Sequence, residues 1–426
     1  MATWQECARC GDRLDELDAR TRCRCGGLLE VRHDPPAAPA AELKRRFAER
    51  RRAWSGPDAS GVWRYRELVL PSAGETAITH PEGGTPLLRR ERIAAWAGVP
   101  DLALKHEGHN PTGSFKDRGM TVGVTQALRV HATATACAST GNTSASLAAY
   151  GAQAGLRVLV FVPAGQVALG KLSQSLAYGA TTLMVRGDFD ACLRLVEQAA
   201  ERLGVYLLNS INPFRLEGQK TVVLELLDQL GWDPPDWIVL PAGNLGNTAA
   251  FGKALLEARG WGLIPRLPRL AAVQAAGAAP FARAFAEGFA RRYAVKAETV
   301  ATAIRIGDPA SWDRAVASIR ATDGVVTAVP DDEILEAKAV VDAAGVGCEP
   351  ASAASVAGAR QLVRRGLIRP GQRVIAVLTG HLLKDPGTLL RYHQEITPPP
   401  PGANRPVEIE PELREVERVL AAAVRG

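Results

Sequence analysis

One lysine lies where its amine could act as a nucleophile. Lys116 belongs to residues 110–120, NPTGSFKDRGM, which follow a short apolar run and lead into good helix formers. With Ser114 as N-cap, Lys116 is predicted in the first turn of a helix, where the helix dipole and nearby Arg118 disfavour a charged amine. A neutral lysine amine is a nucleophile. The plainer alternative is an exposed lysine at a helix start that pairs with Asp117.

Two loops that follow predicted strands combine small, hydroxyl and amide residues. Residues 139–146, STGNTSAS, open a predicted helix, and several donors at a helix N-terminus suit an anionic carboxylate. Helix capping by the same hydroxyls is the alternative, and both can hold together. Residues 241–247, PAGNLGN, contain glycines that let the backbone approach an oxyanion, so they predict a phosphate site, with an ordinary turn as the alternative.

A third polar stretch contains a single arginine among neutral donors. In residues 209–220, NSINPFRLEGQK, Arg215 follows Asn209 and Ser210. Binding a phosphate group requires a fixed bidentate cation with neutral donors around it, and this set supplies both. A lone arginine more commonly makes a surface ion pair of small energy. Thr379, after the apolar run 374–378, is by itself a hydroxyl at a strand end.

Four of the seven cysteines form two close pairs near the N-terminus: Cys7, Cys10, Cys23 and Cys25. A glycine follows each pair, as in the turns of a zinc ribbon, although the second pair has a gap of one residue where two are usual. We predict a structural zinc site here, with a metal-free ribbon of reduced cysteines as the alternative. The odd number of cysteines argues against a disulfide framework.

The elements that must position these residues are those of an α/β protein. The chain has 426 residues, enough for more than one domain. From about residue 100, short apolar runs alternate with helical stretches, which predicts parallel sheets covered on both faces. We expect two parallel-sheet α/β lobes with the site between them, at the carboxyl ends of the strands. A nicotinamide-binding domain is disfavoured because no G-x-G-x-x-G follows the first strand.

Composition and charge exclude several classes of partner. No run of 18 apolar residues occurs and the N-terminus lacks the pattern of a signal peptide, so we expect a cytoplasmic protein without a membrane partner. Basic residues are concentrated in 44–52, but no zinc-finger helix or sequence repeat accompanies them as in many nucleic-acid-binding proteins. This run is interpreted as a solvated helix face, and no nucleic-acid partner is expected.

The lysine segment PTGSFKDRG resembles the cofactor-binding lysine motif of the fold-type II, tryptophan-synthase-β-like enzymes that use pyridoxal phosphate. In this form it is most similar to the threonine synthase family. Four other segments also resemble that family: residues 61–68, 82–87, 301–307 and 348–355. The resemblance covers residues 61 to 390. It divides the chain into a cysteine-rich extension (1–33), a linker and helix (34–60), a two-lobed catalytic domain (61–396), and a proline-rich connector with a last helix (397–426).

The resemblance implies a role for each candidate residue. Lys116 would bind pyridoxal phosphate as a Schiff base and then act as general acid and base. Asn142 would contact the phenolic oxygen of the cofactor, and Thr379 would face its pyridine nitrogen. The carboxylate of the amino-acid substrate would be held by Ser139, Thr140 and Thr143. The cofactor phosphate would lie against Gly243, Asn244, Leu245, Gly246 and Asn247. The substrate phosphate would be bound by Asn209, Ser210 and Arg215.

The implied reaction converts O-phospho-L-homoserine and water into L-threonine and phosphate, in an enzyme expected to be a homodimer. An ammonia-lyase of the threonine or serine dehydratase type is one alternative, and it would need no phosphate cluster. A second alternative is a cysteate-synthase-like or secondary-metabolite enzyme. Three departures from the family pattern keep that alternative open: His106, His109 and Gln166. A ligand sensor that keeps the fold is the non-enzymatic alternative.

Overall fold

The computed structural model describes residues 2–165 and 172–423. The chain begins with a small antiparallel sheet of three strands, β1 (Thr3–Cys7), β2 (Arg13–Asp15) and β3 (Leu29–His33), in the order β2-β1-β3. This sheet corresponds to the predicted cysteine-rich extension. The boundaries of the four predicted segments stay a prediction.

The larger lobe contains a six-stranded sheet. Its strands are β4 (Leu87–Leu88), β5 (Leu102–His106), β10 (Trp237–Pro241), β11 (Arg269–Ala275), β12 (Val325–Val329) and β13 (Val374–Leu378). They lie in the order β12-β11-β10-β13-β5-β4, and only β4 runs antiparallel to its neighbour. The central strands β10 and β13 are buried over their whole length, which is why they are continuous apolar runs without alternation.

The smaller lobe contains four parallel strands, β6 (Ala134–Ala138), β7 (Arg157–Pro163), β8 (Thr181–Val185) and β9 (Val205–Leu207), in the order β8-β7-β6-β9. The sequence prediction of two parallel-sheet α/β lobes is therefore confirmed. Every one of these strands was expected from its apolar run. In the described part of the two α/β lobes, β12 is the strand that was not predicted, although its valines carried the same signal.

Helices cover both sheets. Their bounds are α1 (Ala40–Arg50), α2 (Gly56–Ala59), α3 (Arg66–Val69), α4 (Glu91–Ala97), α5 (Lys116–Arg129), α6 (Asn142–Gln153), α7 (Ser173–Ala177), α8 (Phe189–Leu203), α9 (Pro213–Gln219), α10 (Thr221–Gln229), α11 (Gly246–Gly260), α12 (Pro280–Ala286), α13 (Trp312–Ala321), α14 (Asp331–Ala343), α15 (Pro350–Arg364), α16 (Pro386–Leu390) and α17 (Leu413–Ala423). On the large sheet, α10, α11 and α13 pack on one face and α4, α14 and α15 on the other. In the small lobe, α5 and α6 cover one face and α8 the other.

The last helix was predicted over residues 410–424 and is observed as α17, with residue 424 outside the described range. Its apolar residues Leu413, Val416 and Leu420 are exposed. Among the helices that the structure describes, none is long and apolar enough to cross a membrane.

Candidate active site

Lys116 is the first residue of α5, at the carboxyl end of the sheet that contains β5. The N-cap is Phe115 and not Ser114, because the Phe115 N–H donates to the Thr379 carbonyl (3.0 Å) and Ser114 pairs with Gly380 across a short bridge. These contacts hold residues 110–115, which we call the lysine loop, against the end of β13. The prediction of a lysine in the first helical turn is therefore met, with the cap shifted by one residue.

The Lys116 amine lies in a desolvated and positively charged environment. Burial, followed by the positive charge of Arg215, lowers the pKa of Lys116 to about 7, against a smaller opposing effect of Glu349. Its Nζ lies 4.2 Å from the centre of the Phe115 ring and makes no hydrogen bond to any described residue. A substantial fraction of this amine is therefore neutral and free to react near pH 7.

The sequence assigned the effect on Lys116 to the wrong arginine. Arg118 is fully buried and instead donates to Glu107 (Nε to Oε2, 2.7 Å) and to Glu225 (Nη2 to Oε1, 2.8 Å). Lys105 also donates to Glu225 (2.6 Å). Burial alone would raise the pKa of Glu225, but Arg118 and Lys105 outweigh it and lower that pKa. The positive charge of Arg118 is thus balanced by carboxylates inside a buried ionic cluster that supports α5.

Asp117 is also buried, so the interpretation of an exposed pair with Lys116 is wrong. Its carboxylate accepts hydrogen bonds from the backbone and hydroxyl of Thr112 (2.7 and 2.6 Å) and from Ser146 (2.6 Å). Burial raises the pKa of Asp117 to about 6. Because Ser146 belongs to α6, this carboxylate holds the lysine loop against the hydroxyl-rich loop of residues 139–146.

The hydroxyl-rich loop connects β6 to α6, which begins at Asn142. Three of its predicted ligands are partly exposed at the helix start: Ser139, Thr140 and Thr143. Asn142 donates its Nδ2 to Glu349 Oε2 (3.0 Å). An amide nitrogen has two hydrogens, so Asn142 can donate to Glu349 and to a bound group at the same time.

Glu349 is a buried carboxylate to which the sequence analysis assigned no role. The Thr379 hydroxyl donates to its Oε1 (3.2 Å) and also lies 3.0 Å from the Ser352 hydroxyl. Burial raises the pKa of Glu349, and the hydrogen bond from Asn142 opposes this rise. Glu349 therefore joins two predicted cofactor ligands that lie more than 200 residues apart. Its position immediately before Pro350 at the start of a small-residue helix was the signal available in the sequence.

The glycine loop after β10 leads into α11 in the predicted manner. Gly243 packs so closely that a Cβ there would lie 2.9 Å from the Ile304 Cα, and Leu245 has a left-handed backbone (φ 63°). The backbone N–H groups of Gly243, Asn244 and Leu245 donate to no described residue. Near the helix start, Asn247 Oδ1 is buried without a partner in the described chain. Unpaired donors at a helix N-terminus suit an anionic group.

Arg215 is fully buried in α9 and only partly satisfied. Its Nη1 donates to the Leu208 carbonyl (2.9 Å), whereas Nε and Nη2 have no partner among the described residues. Burial lowers the pKa of Arg215 to about 10. Close approach of α5 makes this position possible, since a Cβ at Gly123 would lie 3.2 Å from the Arg215 Cγ. A buried cation with unused donors is a binding site for an anion.

The other two predicted phosphate ligands, Asn209 and Ser210, form hydrogen bonds with other residues of the protein. Asn209 Oδ1 accepts from the Ala138 N–H (3.0 Å), and Ser210 Oγ accepts from Asn244 Nδ2 (2.6 Å). The Asn244 side chain also accepts from the Ala310 N–H (2.7 Å). These side chains hold the loops in place, whereas Arg215 is the member of this set with buried donors that lack a partner among the described residues.

Two departures from the family pattern have a structural explanation. His106 is buried, with Nε2 2.8 Å from the Gly347 carbonyl, and its ring packs edge-on against His109 with 4.6 Å between centres. His106 therefore has a structural contact with the large lobe, through the Gly347 carbonyl. Gln166 lies outside the described residues.

The four N-terminal cysteines meet as predicted. Their sulfur atoms all lie within 4.8 Å of one another, with Cys7 and Cys25 3.4 Å apart and Cys10 and Cys23 3.7 Å apart. A Cβ at Gly27 would lie 2.6 Å from the Cys7 sulfur, so this turn requires glycine. Backbone N–H groups point at the sulfurs of Cys7 and Cys25 (3.4 Å each), as expected for thiolates.

Comparison with known proteins gives consistent matches. Residues 78–380 match the family described as pyridoxal-phosphate dependent enzyme. A threonine synthase from Methanocaldococcus jannaschii is 44% identical over 418 residues, covering 98% of this chain and 99% of that protein. The crystal structure of threonine synthase from Escherichia coli has a TM-score of 0.70 at 19% identity, covering 99% of this chain and 100% of that one. Threonine deaminase isoform 2 from Solanum lycopersicum shares the fold, with a TM-score of 0.62 at 20% identity over 82% of this chain and 92% of that one.

Proposed function

The chain belongs to the threonine synthase family of pyridoxal-phosphate-dependent enzymes, and we infer that it converts O-phospho-L-homoserine and water into L-threonine and phosphate. It is a lyase of threonine biosynthesis. The observation that supports this substrate is the state of Arg215. Its buried guanidinium has two nitrogens without a partner among the described residues, and its charge lowers the pKa of Lys116. The substrate of an ammonia-lyase acting on serine or threonine has no phosphate group to place there.

Pyridoxal phosphate is the cofactor, and the residues present fit it. We propose that Lys116 holds it covalently, that residues 243–247 bind its phosphate through the unpaired N–H groups, and that Asn142 and Thr379 contact its ring. When bound, the cofactor supplies an electron sink for negative charge at the substrate α-carbon. Thr379 offers a hydroxyl and not a carboxylate to the ring, which suits elimination and replacement chemistry.

The remaining work falls to side chains of this chain. We propose that the neutral Lys116 amine takes the proton from the substrate Cα and moves protons at Cα and Cβ as general acid and base. The start of α6, with Ser139, Thr140 and Thr143, binds the substrate carboxylate. Arg215 binds the substrate phosphate and holds it as it leaves Cγ.

Product analysis tests this function directly. The purified enzyme with O-phospho-L-homoserine is expected to release phosphate and L-threonine in equal amounts. Ammonia and a 2-oxo acid formed from threonine or serine, without phosphate release, would support the ammonia-lyase instead. Phosphate release with a product other than threonine would favour the cysteate-synthase-like alternative.

We also propose that the four N-terminal thiols bind one structural zinc ion. Replacing Cys7 and Cys10 together by serine is expected to remove one zinc per chain, as measured by elemental analysis of the purified protein. Because structural zinc contributes directly to folding free energy, the melting temperature should also fall. The matched control is serine at Cys137 and Cys192, which lie outside the cluster. Unchanged zinc content, or no zinc in the unmodified protein, would support the ribbon of reduced cysteines.

Replacing Glu349 by glutamine is expected to lower turnover by up to about 10²-fold, the loss that a misplacement of about 1 Å in the reacting groups can cause. The amide keeps the volume but loses one carboxylate acceptor, so Asn142 and Thr379 are no longer both held. Steady-state kinetics and the cofactor spectrum check this effect. As a control, glutamine at the more exposed Glu336 should leave both unchanged. Full activity in the Glu349 variant would show that this carboxylate has no positioning role.

We propose further, from the family resemblance, that the protein is a cytoplasmic homodimer without nucleic-acid or membrane partners. Light scattering of the purified protein tests the dimer, and a mass of one chain would contradict it.

A further inference from the structure

A cleft of about 250 Å³ separates the N-terminal sheet from the large lobe. One side is strand β3, and the other is formed by helices α9, α11 and α13. Most of its wall is apolar, with Val31, Leu216, Ala249, Ala250, Leu256 and Ala317. Leu256 and Ala317 are exposed and form the mouth of the cleft. The cleft is thus open to small molecules from solvent.

One cation in this wall is incompletely paired. Arg314 is only 7% exposed, yet its Nη1 has no hydrogen-bond partner among the described residues. Nη2 donates to the Leu29 carbonyl, and Nε lies 3.4 Å from Glu30 Oε1 without hydrogen-bond geometry. Glu30 is also shared with Arg32, which contacts it at 2.8 Å. A buried guanidinium in this state lacks part of the set of acceptors that would offset its desolvation.

The carboxylates at the other end of the cleft cannot serve Arg314. The Glu217 carboxylate is in contact with Lys253, Lys220 (2.5 Å) and His33 (2.9 Å). Lys220 also contacts Glu257 (2.8 Å). Burial lowers the pKa of His33, so this imidazole is neutral. Four cations, Arg32, Arg314, Lys220 and Lys253, are accompanied by four carboxylates, Glu30, Glu217, Glu257 and Glu6, the last of which contacts Arg32 (3.5 Å). Of these cations, Arg314 is the one with buried nitrogens that have no hydrogen-bond partner among the described residues.

Arg314 shares this state with the arginine of the active site. In the part of the chain that the structure describes, Arg215 and Arg314 are the two arginines with two buried guanidinium nitrogens that have no hydrogen-bond partner. The reaction accounts for Arg215. It makes no use of Arg314, which lines the same cleft as Leu216 and Glu217 of α9.

We propose that this cleft binds a small carboxylate with a short branched aliphatic chain. The carboxylate pairs with Arg314, and the chain lies against the apolar wall formed by Leu216, Ala249 and Leu256. A volume of about 250 Å³ leaves room for a ligand of isovalerate size. The proposal concerns a second site and does not depend on the proposed reaction.

Isothermal titration calorimetry of the holoenzyme without substrate tests the proposal. Isovalerate is expected to bind once per chain, at least tenfold more tightly than acetate, which lacks the apolar chain, or 3-methylbutan-1-ol, which lacks the charge. Equal binding of the alcohol would overturn the role of Arg314. Equal binding of inorganic phosphate would overturn the ligand class. Displacement of isovalerate by L-threonine would place it in the active site and also overturn the proposal.

Two variants locate the site independently. Arg314→Gln removes the cation and is expected to weaken isovalerate binding at least tenfold. Ala317→Phe fills the mouth of the cleft without touching the hydrogen bonds of Arg314, so it keeps the test valid if the first variant folds poorly. Arg320→Gln, an exposed arginine on the same helix, is the matched control and should bind as the unmodified enzyme does. Unchanged binding in both cleft variants would refute the site. Because no turnover is measured, this result is separate from that of the reaction.

Discussion

Lys116→Ala is expected to reduce the formation of threonine from O-phospho-L-homoserine by at least about 10³-fold, the loss typical of removing a general acid-base or nucleophilic group. The reason is that this amine is assigned both the covalent hold on the cofactor and the proton transfers at Cα and Cβ. The variant should also lose the visible absorbance that arises from the covalently held cofactor. Stopped phosphate-release assays and an absorbance spectrum of the purified variant measure both effects.

Two controls separate chemistry from folding. Lys116→Arg keeps a cation of similar length but cannot become neutral, so it should be as inactive as the alanine variant. Lys296→Ala, at an exposed lysine, should retain full activity and absorbance. Since the pKa of Lys116 is about 7, its neutral fraction rises with pH, and the rate at which apoenzyme takes up cofactor should increase through pH 7. A Lys116 variant that keeps a tenth of the activity would contradict the assignment.

Arg215→Ala is expected to lower kcat/KM for O-phospho-L-homoserine by about 10² to 10³-fold, because truncating one partner of a buried, hydrogen-bonded charge pair costs several kcal/mol. The covalently held cofactor should remain visible, since the glycine loop and Lys116 are unchanged. Steady-state kinetics then separate two roles. A rise in KM with unchanged turnover at saturation means that Arg215 only binds the phosphate. A fall in turnover would support a further role for Arg215, in which the departing phosphate that it holds also activates the attacking water.

The controls for Arg215 address charge and location. Arg215→Lys keeps a point charge but loses the planar fork, so we expect intermediate activity. Arg194→Ala, at an exposed arginine of α8, should behave as the unmodified enzyme. If Arg215→Ala instead kept full activity on threonine while releasing ammonia, the phosphate assignment would fail and the ammonia-lyase would be the better interpretation.

Much of the candidate site could be predicted from sequence because its signals are local. Apolar runs marked the buried parallel strands, and glycine, serine and asparagine clusters marked the loops that follow them. In a parallel sheet all such loops meet at one edge. Their convergence therefore followed from the alternating pattern, and the spacing of the motifs along the chain agreed with one family. The cysteine pairs were equally local, and their sulfurs meet in the structure.

Only the tertiary structure determined which side chains are free. Glu349 receives Asn142 and Thr379, Arg118 is consumed by Glu107 and Glu225, and Asn209 is tied to the backbone of β6. None of these pairings follows from residue type, because each polar group accepts several partners and burial decides which one is within reach. The sequence pattern singled out Arg215 and gave no signal for Arg314, yet packing leaves both with unpaired nitrogens. The physical difference between a paired and an unpaired cation arises from packing between distant segments, which local patterns do not encode.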